Sequence, residues 1–193
     1  YNSALIQKSA LLVTLGNHRL ASTTVNKYLQ LSELSDEMVG ELIVDDMDHV
    51  LALDTAAATH LKLGNVDKAQ TIFEKKLSFV KALPNNDEMK SDTMHKLGCL
   101  LAYKKEHKEA ISFLSEALDT RKFLYDGKSP SVFESTWAVA AASQTIGDTN
   151  RALKEYAILL EKMNQNKMND SPVDLVLIHN SAGKLFFDEG KID

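Results

Sequence analysis

The chain has 193 residues, 44% hydrophobic and 25% charged, with a formal net charge of −5 and an isoelectric point near 5.7. That length holds one ordinary domain or a short repeat array, and the acidic balance argues against the basic face that nucleic-acid phosphates require. With three Pro and eight Gly the chain lacks the turn residues of a β-sandwich, and its wealth of Ala, Leu, Lys and Glu points to an all-α fold.

From the N-terminus, the first punctuation is 15-LGNHRLAS-22: an aliphatic residue, Gly, a polar turn, and Ala21 five positions after Gly16. The phrase returns as 63-LGNVDKAQ-70 and 146-IGDTNRAL-153, and in degraded form as 103-YKKEHKEA-110, where Lys105 stands in place of Gly. The closing 188-DEGKID-193 supplies Gly190. Anchors at 16, 64, 105, 147 and 190 are spaced by 48, 41, 42 and 43 residues, periods that belong to stacked helical hairpins. Small residues recur seven positions before each anchor, at Ser9, Ala57, Gly98, Ala140 and Gly183, where they let neighbouring helices approach closely.

These anchors predict first helices at 2–14, 48–62, 88–103, 130–146 and 172–188, and second helices at 18–32, 66–83, 107–125 and 149–166. Helix starts give a third register. In 129-SPSVFE-134 and 171-SPVD-174, Ser then Pro precedes an apolar run, as an N-cap followed by Pro at the first helical position. Asp87 occupies the same place one period earlier; Ser131 with Glu134 offers an alternative capping box two residues on. The 33–47 connector carries Leu42, Ile43 and Val44, enough for an additional turn of helix.

Between Lys27 and Lys62 there is no Lys or Arg, yet eight acidic residues from Glu33 to Asp54 fall there. This reads as a solvated connector, or as an acidic face for a basic partner. No apolar run approaches the roughly 18 residues of a membrane span. The single cysteine, Cys99, has no internal disulfide partner, which suits a reducing compartment and a cytoplasmic location. The chain opens at Tyr1 rather than Met, so the native N-terminus and any targeting signal are expected to lie outside it.

The hairpin pattern resembles the tetratricopeptide repeat, in which two antiparallel helices pack around a small residue and a Gly turn, and a later Ala and aromatic residue close the second helix. The stretch 117-ALDTRKFLYDGKSPSVFESTWAVAAASQTIGDTNRALKEYAILLEK-162 is similar to the long repeats of kinesin light chains and nephrocystin-like proteins. The resemblance implies an α-α superhelix, a solenoid of four to five hairpins forming a single array over 1–193. Its units would be 2–47, 48–86, 87–128, 129–170 and 171–193. The last stops after its first helix, so the chain is expected to be a segment of a larger protein.

Catalytic signals are weak. The Gly-Lys-Ser at 127–129 lacks the earlier Gly of a phosphate-binding loop, because position 122 is Lys. No Gly-x-Ser-x-Gly elbow and no Cys pair for structural zinc exist. Asp92, His95 and Cys99, spaced by three and four, share one helix face and present two readings: metal ligands or a His-activated thiol, against a partly exposed groove face. The second is favoured. The expectation is therefore no enzyme, no cofactor and no metal.

The resemblance also implies that the first helices line a concave groove. The residues it places there for partner binding are Asp54, Leu61 and Lys62; Asp92, His95 and Tyr103; Glu134, Trp137 and Gln144; and Asn180, Lys184 and Phe187. Trp137 has a second reading, as core between hairpins. Groove positions five and nine are Asp54/Ala58, His95/Cys99, Trp137/Ala141 and Asn180/Lys184, which departs from the Lys and Asn clamp of chaperone-binding members. Only Asn180 matches the repeated Asn of kinesin-light-chain grooves. The function expected is a protein-protein interaction scaffold that takes a peptide or helix of a partner. The alternatives are a structural subunit that contacts partners through its convex face and acidic connector, or the regulatory repeat region of a larger enzyme. Neither nucleic-acid binding nor membrane insertion is expected.

Overall fold

A computed structural model describes residues 2–38, 46–125, 129–166 and 175–188. Among them the regular elements are nine α-helices: α1 (Asn2–Thr14), α2 (His18–Met38), α3 (Asp46–Lys62), α4 (Val66–Ala82), α5 (Asp87–Tyr103), α6 (His107–Leu124), α7 (Pro130–Thr145), α8 (Thr149–Asn166) and α9 (Leu175–Asp188). They form two compact units, Tyr1–Pro84 and Asn85–Asp193.

The turn inside each of the first four hairpins is a Schellman cap, which explains the recurring Gly. At Gly16, Gly64 and Gly147 φ is 76, 75 and 79°, and Lys105 takes the same left-handed conformation at 67°. In each turn the anchor N–H bonds three residues back and the next N–H bonds five back. Gly64 N donates to Leu61 O at 3.0 Å and Asn65 N to His60 O at 2.8 Å; Lys105 N donates to Ala102 O at 3.0 Å and Glu106 N to Leu101 O at 2.9 Å. The helix thus ends by satisfying its last carbonyls. The degraded third copy is the same turn, built with a side chain that disfavours it. Gly190 and the 171-SPVD-174 start lie outside the described residues.

Several boundaries shift from the sequence reading, most by one to three residues, and two shifts have a local cause. Helix α2 runs on to Met38 rather than ending near 32, because 33-ELSDEM-38 contains no Gly or Pro to stop it. The N-cap of α5 is Asn86, with Asp87 the first helical residue, so the Asp87 assignment shifts by one; its carboxylate there faces the positive helix end. Ser129 is the N-cap of α7, with Pro130 following, so the Ser131–Glu134 box does not set the start. Residues 39–45 of the 33–47 connector, Leu42, Ile43 and Val44 among them, lie outside the described residues.

In the first unit Ile6 of α1, Val25 and Tyr28 of α2, and Ala52 and Ala56 of α3 form one buried cluster, with Ile72 of α4 against it. In the second, Leu114 and Leu118 of α6 pack on Val132, Ala138, Val139 and Ala142 of α7. Beyond them Phe133 and Ala140 join Ala152, Tyr156 and Leu159 of α8 and Ile178, Ala182 and Leu185 of α9. The small residues before the turns fit this packing: Ser9, Ala57 and Ala140 are fully buried. A methyl group on Gly98 would lie 2.7 Å from Leu114 Cγ, so α5 and α6 approach too closely there for any side chain. A methyl on Gly183 would meet nothing within 4 Å.

Candidate binding faces of the first helices

In the first unit the candidate residues lie on α3. Leu61 and Lys62 are exposed, as are Leu51 and Ala58 on the same helix. Asp54 is engaged within the fold: its Oδ2 accepts from Lys76 Nζ of α4 at 2.6 Å, and Lys76 is buried. A charged residue in a core row, where the equivalent positions hold Ala117 and Leu159, was the signal of this pair.

In the second unit the candidates divide into a tied set and an open set. Asp92 of α5 binds Lys96 at 2.7 Å and Arg121 Nη2 of α6 at 3.4 Å. Arg121, itself buried, also donates from Nη1 to Ser131 O at 3.1 Å and to Ser135 Oγ of α7 at 2.7 Å. Ser135 Oγ lies 3.3 Å from His95 Nδ1, and His95 Nε2 lies 3.7 Å from Cys99 Sγ. The sequence brought Asp92, His95 and Cys99 to one face; Arg121, Ser131 and Ser135, which give that face its organisation, were missed because they come from other helices.

The electrostatics of this cluster oppose catalysis by the thiol. Desolvation, helped by Arg121, lowers His95 from 6.5 to about 4, so the imidazole is neutral at physiological pH. Cys99 still meets solvent, yet desolvation by its surroundings pushes its thiol up to about 11, the reverse of an activated nucleophile. Among the described residues no three His, Cys, Asp or Glu side chains gather into a metal-holding group.

On α7, Trp137 is half-buried and packs against the cluster of α8 and α9, so the ring is in part core, with its Nε1 buried and without a hydrogen-bond partner. Gln144 accepts from Tyr156 OH at 3.0 Å, and Glu134 is half-buried. The open set comprises Tyr103, 77% exposed, and on α9 Asn180, Lys184 and Phe187, the last 69% exposed. A cleft of about 540 Å³ lies at the other end of the α5–α6 hairpin from the Arg121 cluster, lined by Lys105 to Glu109 with Thr145 and Ile146. Its two Lys and two Glu leave it no net charge to select a ligand.

These hairpins, closed by one repeated cap and packed through small residues at one register, define a helical-repeat protein. Residues 49–122 match the family model of the tetratricopeptide repeat. The fold of the chain is similar to that of BtubC (BKLC) from P. vanneervenii, with a TM-score of 0.77 at 18% identity over 98% of this chain and 74% of that one. It is also similar to nearly identical TPR-like repeats from Podosopora anserina, named for a kinesin light chain, with a TM-score of 0.75 at 13% identity over 99% and 89%. A third similar structure is YrrB, described as a TPR protein with an unusual peptide-binding site, with a TM-score of 0.66 at 17% identity over 96% and 76%. Comparison with curated protein sequences finds no match. The family match covers the 49–122 segment, and the fold of the chain is similar to those of helical-repeat structures. Among the described residues no helix is long and apolar enough to cross a membrane.

Proposed function

We propose that this chain is a non-enzymatic scaffold that binds a peptide or helix of a partner protein on the faces of its first helices, within one repeat array that continues through residues 1–193. The observation that carries this is the exposure of large apolar side chains on those faces, Leu51 and Leu61 on α3, Tyr103 on α5 and Phe187 on α9. Exposed aromatic side chains beside polar groups are the anchors that dominate interface energies. The peptide-binding site of the similar protein YrrB supports the same use of the fold. Asp54, Asp92 and Gln144 act here by positioning their helices, since their polar atoms are engaged within the hairpins. Contact with the ligand falls to Tyr103, Lys62, Asn180, Lys184 and Phe187.

The test is selection of peptides from a displayed random library against the intact chain, followed by affinity measurement on variants. Tyr103→Ala and Lys184→Glu should each weaken a selected peptide about tenfold or more. Selected peptides that bind both variants as tightly as the parent chain would sink the proposal. A second reading, contact through the second helices, is favoured by Phe123 of α6, which is 86% exposed. In that case Phe123→Ser abolishes partner binding while Tyr103→Ala leaves it intact.

A further inference from the structure

In the α3–α4 and α5–α6 hairpins the second helix supplies a cation to a carboxylate of the first; the α7–α8 hairpin keeps the carboxylate and lacks the cation. Counting back from the turn anchors, Leu51, Asp92 and Glu134 share one register on α3, α5 and α7, and Asp54, His95 and Trp137 share the next. Asp54 accepts from Lys76 of α4, and Asp92 from Arg121 of α6 and from Lys96. On α8 the positions of Lys76 and Arg121 are Leu159 and Met163. The cations of the preceding hairpin are committed elsewhere: Arg121 holds the Ser131 carbonyl, the Ser135 hydroxyl and Asp92, and Lys96 is on Asp92. Among the described residues no hydrogen bond or ion pair engages the Glu134 carboxylate.

Glu134 is half-buried and is the one charged residue of α7. Desolvation and, behind it, the Glu134 charge push the Cys99 thiol of α5 up, which places the carboxylate on the side of α7 that faces α5. Trp137 follows three residues on, at a spacing that keeps it on the same face. Its ring is half-buried with Nε1 inside, so the exposed part of the indole is hydrocarbon. An open carboxylate beside such a ring fits a side chain with an aliphatic stem and a cationic end. The stem covers the ring, the charge sits near its face, and the N–H groups donate to the carboxylate. The same cation offsets the partial desolvation of Glu134, which nothing in the hairpin offsets.

We infer that Glu134 and Trp137 form a subsite for a Lys or Arg side chain of the partner, the cation that the α7–α8 hairpin does not supply for itself. The inference rests on the binding reading of the first helices proposed above and adds the chemistry that one ligand residue must have.

The test selects random peptides from a displayed library against the intact chain and against Glu134→Lys, then titrates the selected peptides by fluorescence anisotropy. The parent enriches Lys or Arg at one position, and Glu134→Lys abolishes that preference or exchanges it for Asp or Glu. Replacing the basic residue of a selected peptide by Gln, or Glu134 by Gln, weakens binding about tenfold, and the two together weaken it little further. Trp137→Leu weakens the basic peptide about threefold and leaves its Gln version unchanged. Glu134→Gln is isosteric at a half-buried position, so its thermal unfolding stays that of the parent. Peptides without a basic consensus, or losses that add when both partners are substituted, overturn the subsite. Peptides weakened by Tyr103→Ala and Lys184→Glu but not by Glu134→Gln also overturn it, and leave the binding faces standing. Peptides that bind all three variants as tightly as the parent remove both.

Discussion

Each compact unit buries one cation of a second helix against an aspartate of a first helix, and the two do it differently. In the first unit Lys76 places a single ammonium on Asp54 at 2.6 Å. In the second, Arg121 spreads its fork over Asp92, the Ser131 carbonyl and the Ser135 hydroxyl, and so joins α5, α6 and α7. A Lys offers a point charge on a flexible stem, whereas a planar guanidinium holds several acceptors in fixed directions. The first pair locks one hairpin; the second network locks a hairpin to its successor. Position on the helix decides which, because Arg121 lies near the end of α6, where the chain has to turn into α7, and Lys76 lies in mid-helix.

The comparison can be broken hardest at Arg121. Arg121→Ala should cost about 2–4 kcal/mol, because it empties a buried site and removes the donors of the Ser131 carbonyl and the Ser135 hydroxyl, while Asp92 keeps Lys96. Arg121→Lys should recover less than half of that, since one ammonium cannot serve three acceptors. Urea unfolding followed by circular dichroism measures both, and full recovery by Lys would refute the fork argument.

Acid should act on the same network next. The folded state holds His95 near 4 against 6.5 when free. Between those values the unfolded chain binds a proton that the folded chain refuses. This contribution to stability is intact above about pH 6.5, falls as the pH is lowered and levels off below about 4, to a total of about 3 kcal/mol. His95→Gln should flatten the profile in that window relative to the parent. Identical profiles for the two proteins would remove His95 as the cause.

The first unit should respond less. Lys76→Met should cost about 1–2 kcal/mol, since the thioether fills the space and the released Asp54 carboxylate, with 27% of its side chain exposed, reaches water. A loss as large as that of Arg121→Ala would erase the distinction between the two cations. The smallest effect tests the turns. Lys105→Gly should stabilise by about 1 kcal/mol by relieving a left-handed backbone that Gly64 and Gly147 adopt freely, and Gly64→Ala should cost about as much. Thermal melts of these two variants should move in opposite directions.

The architecture was legible because a hairpin repeat writes its period into the chain. A left-handed cap needs Gly, a close helix crossing needs a small residue, and a helix start accepts Ser-Pro, so three chemically distinct demands recurred at one spacing. Even the Lys105 copy was readable from Ala110 five positions on. The cation networks were less so. Asp92, His95 and Cys99 were visible as one face, but Arg121 and Ser135 are 29 and 43 residues from Asp92, and no local pattern ties them to it.

What the sequence by itself determined is the alternation of helix and cap, since capping, helix propensity and the small-residue register all act within a few residues of chain. Only the tertiary structure decided which candidate side chains are open to a ligand. Asp54, Asp92 and Gln144 share their helix faces with Leu61, Tyr103 and Thr145 in the sequence pattern, yet the first three are engaged by neighbouring helices and the last three are exposed. Helical periodicity states which way a side chain leaves its axis, and the partner that meets it there comes from another helix.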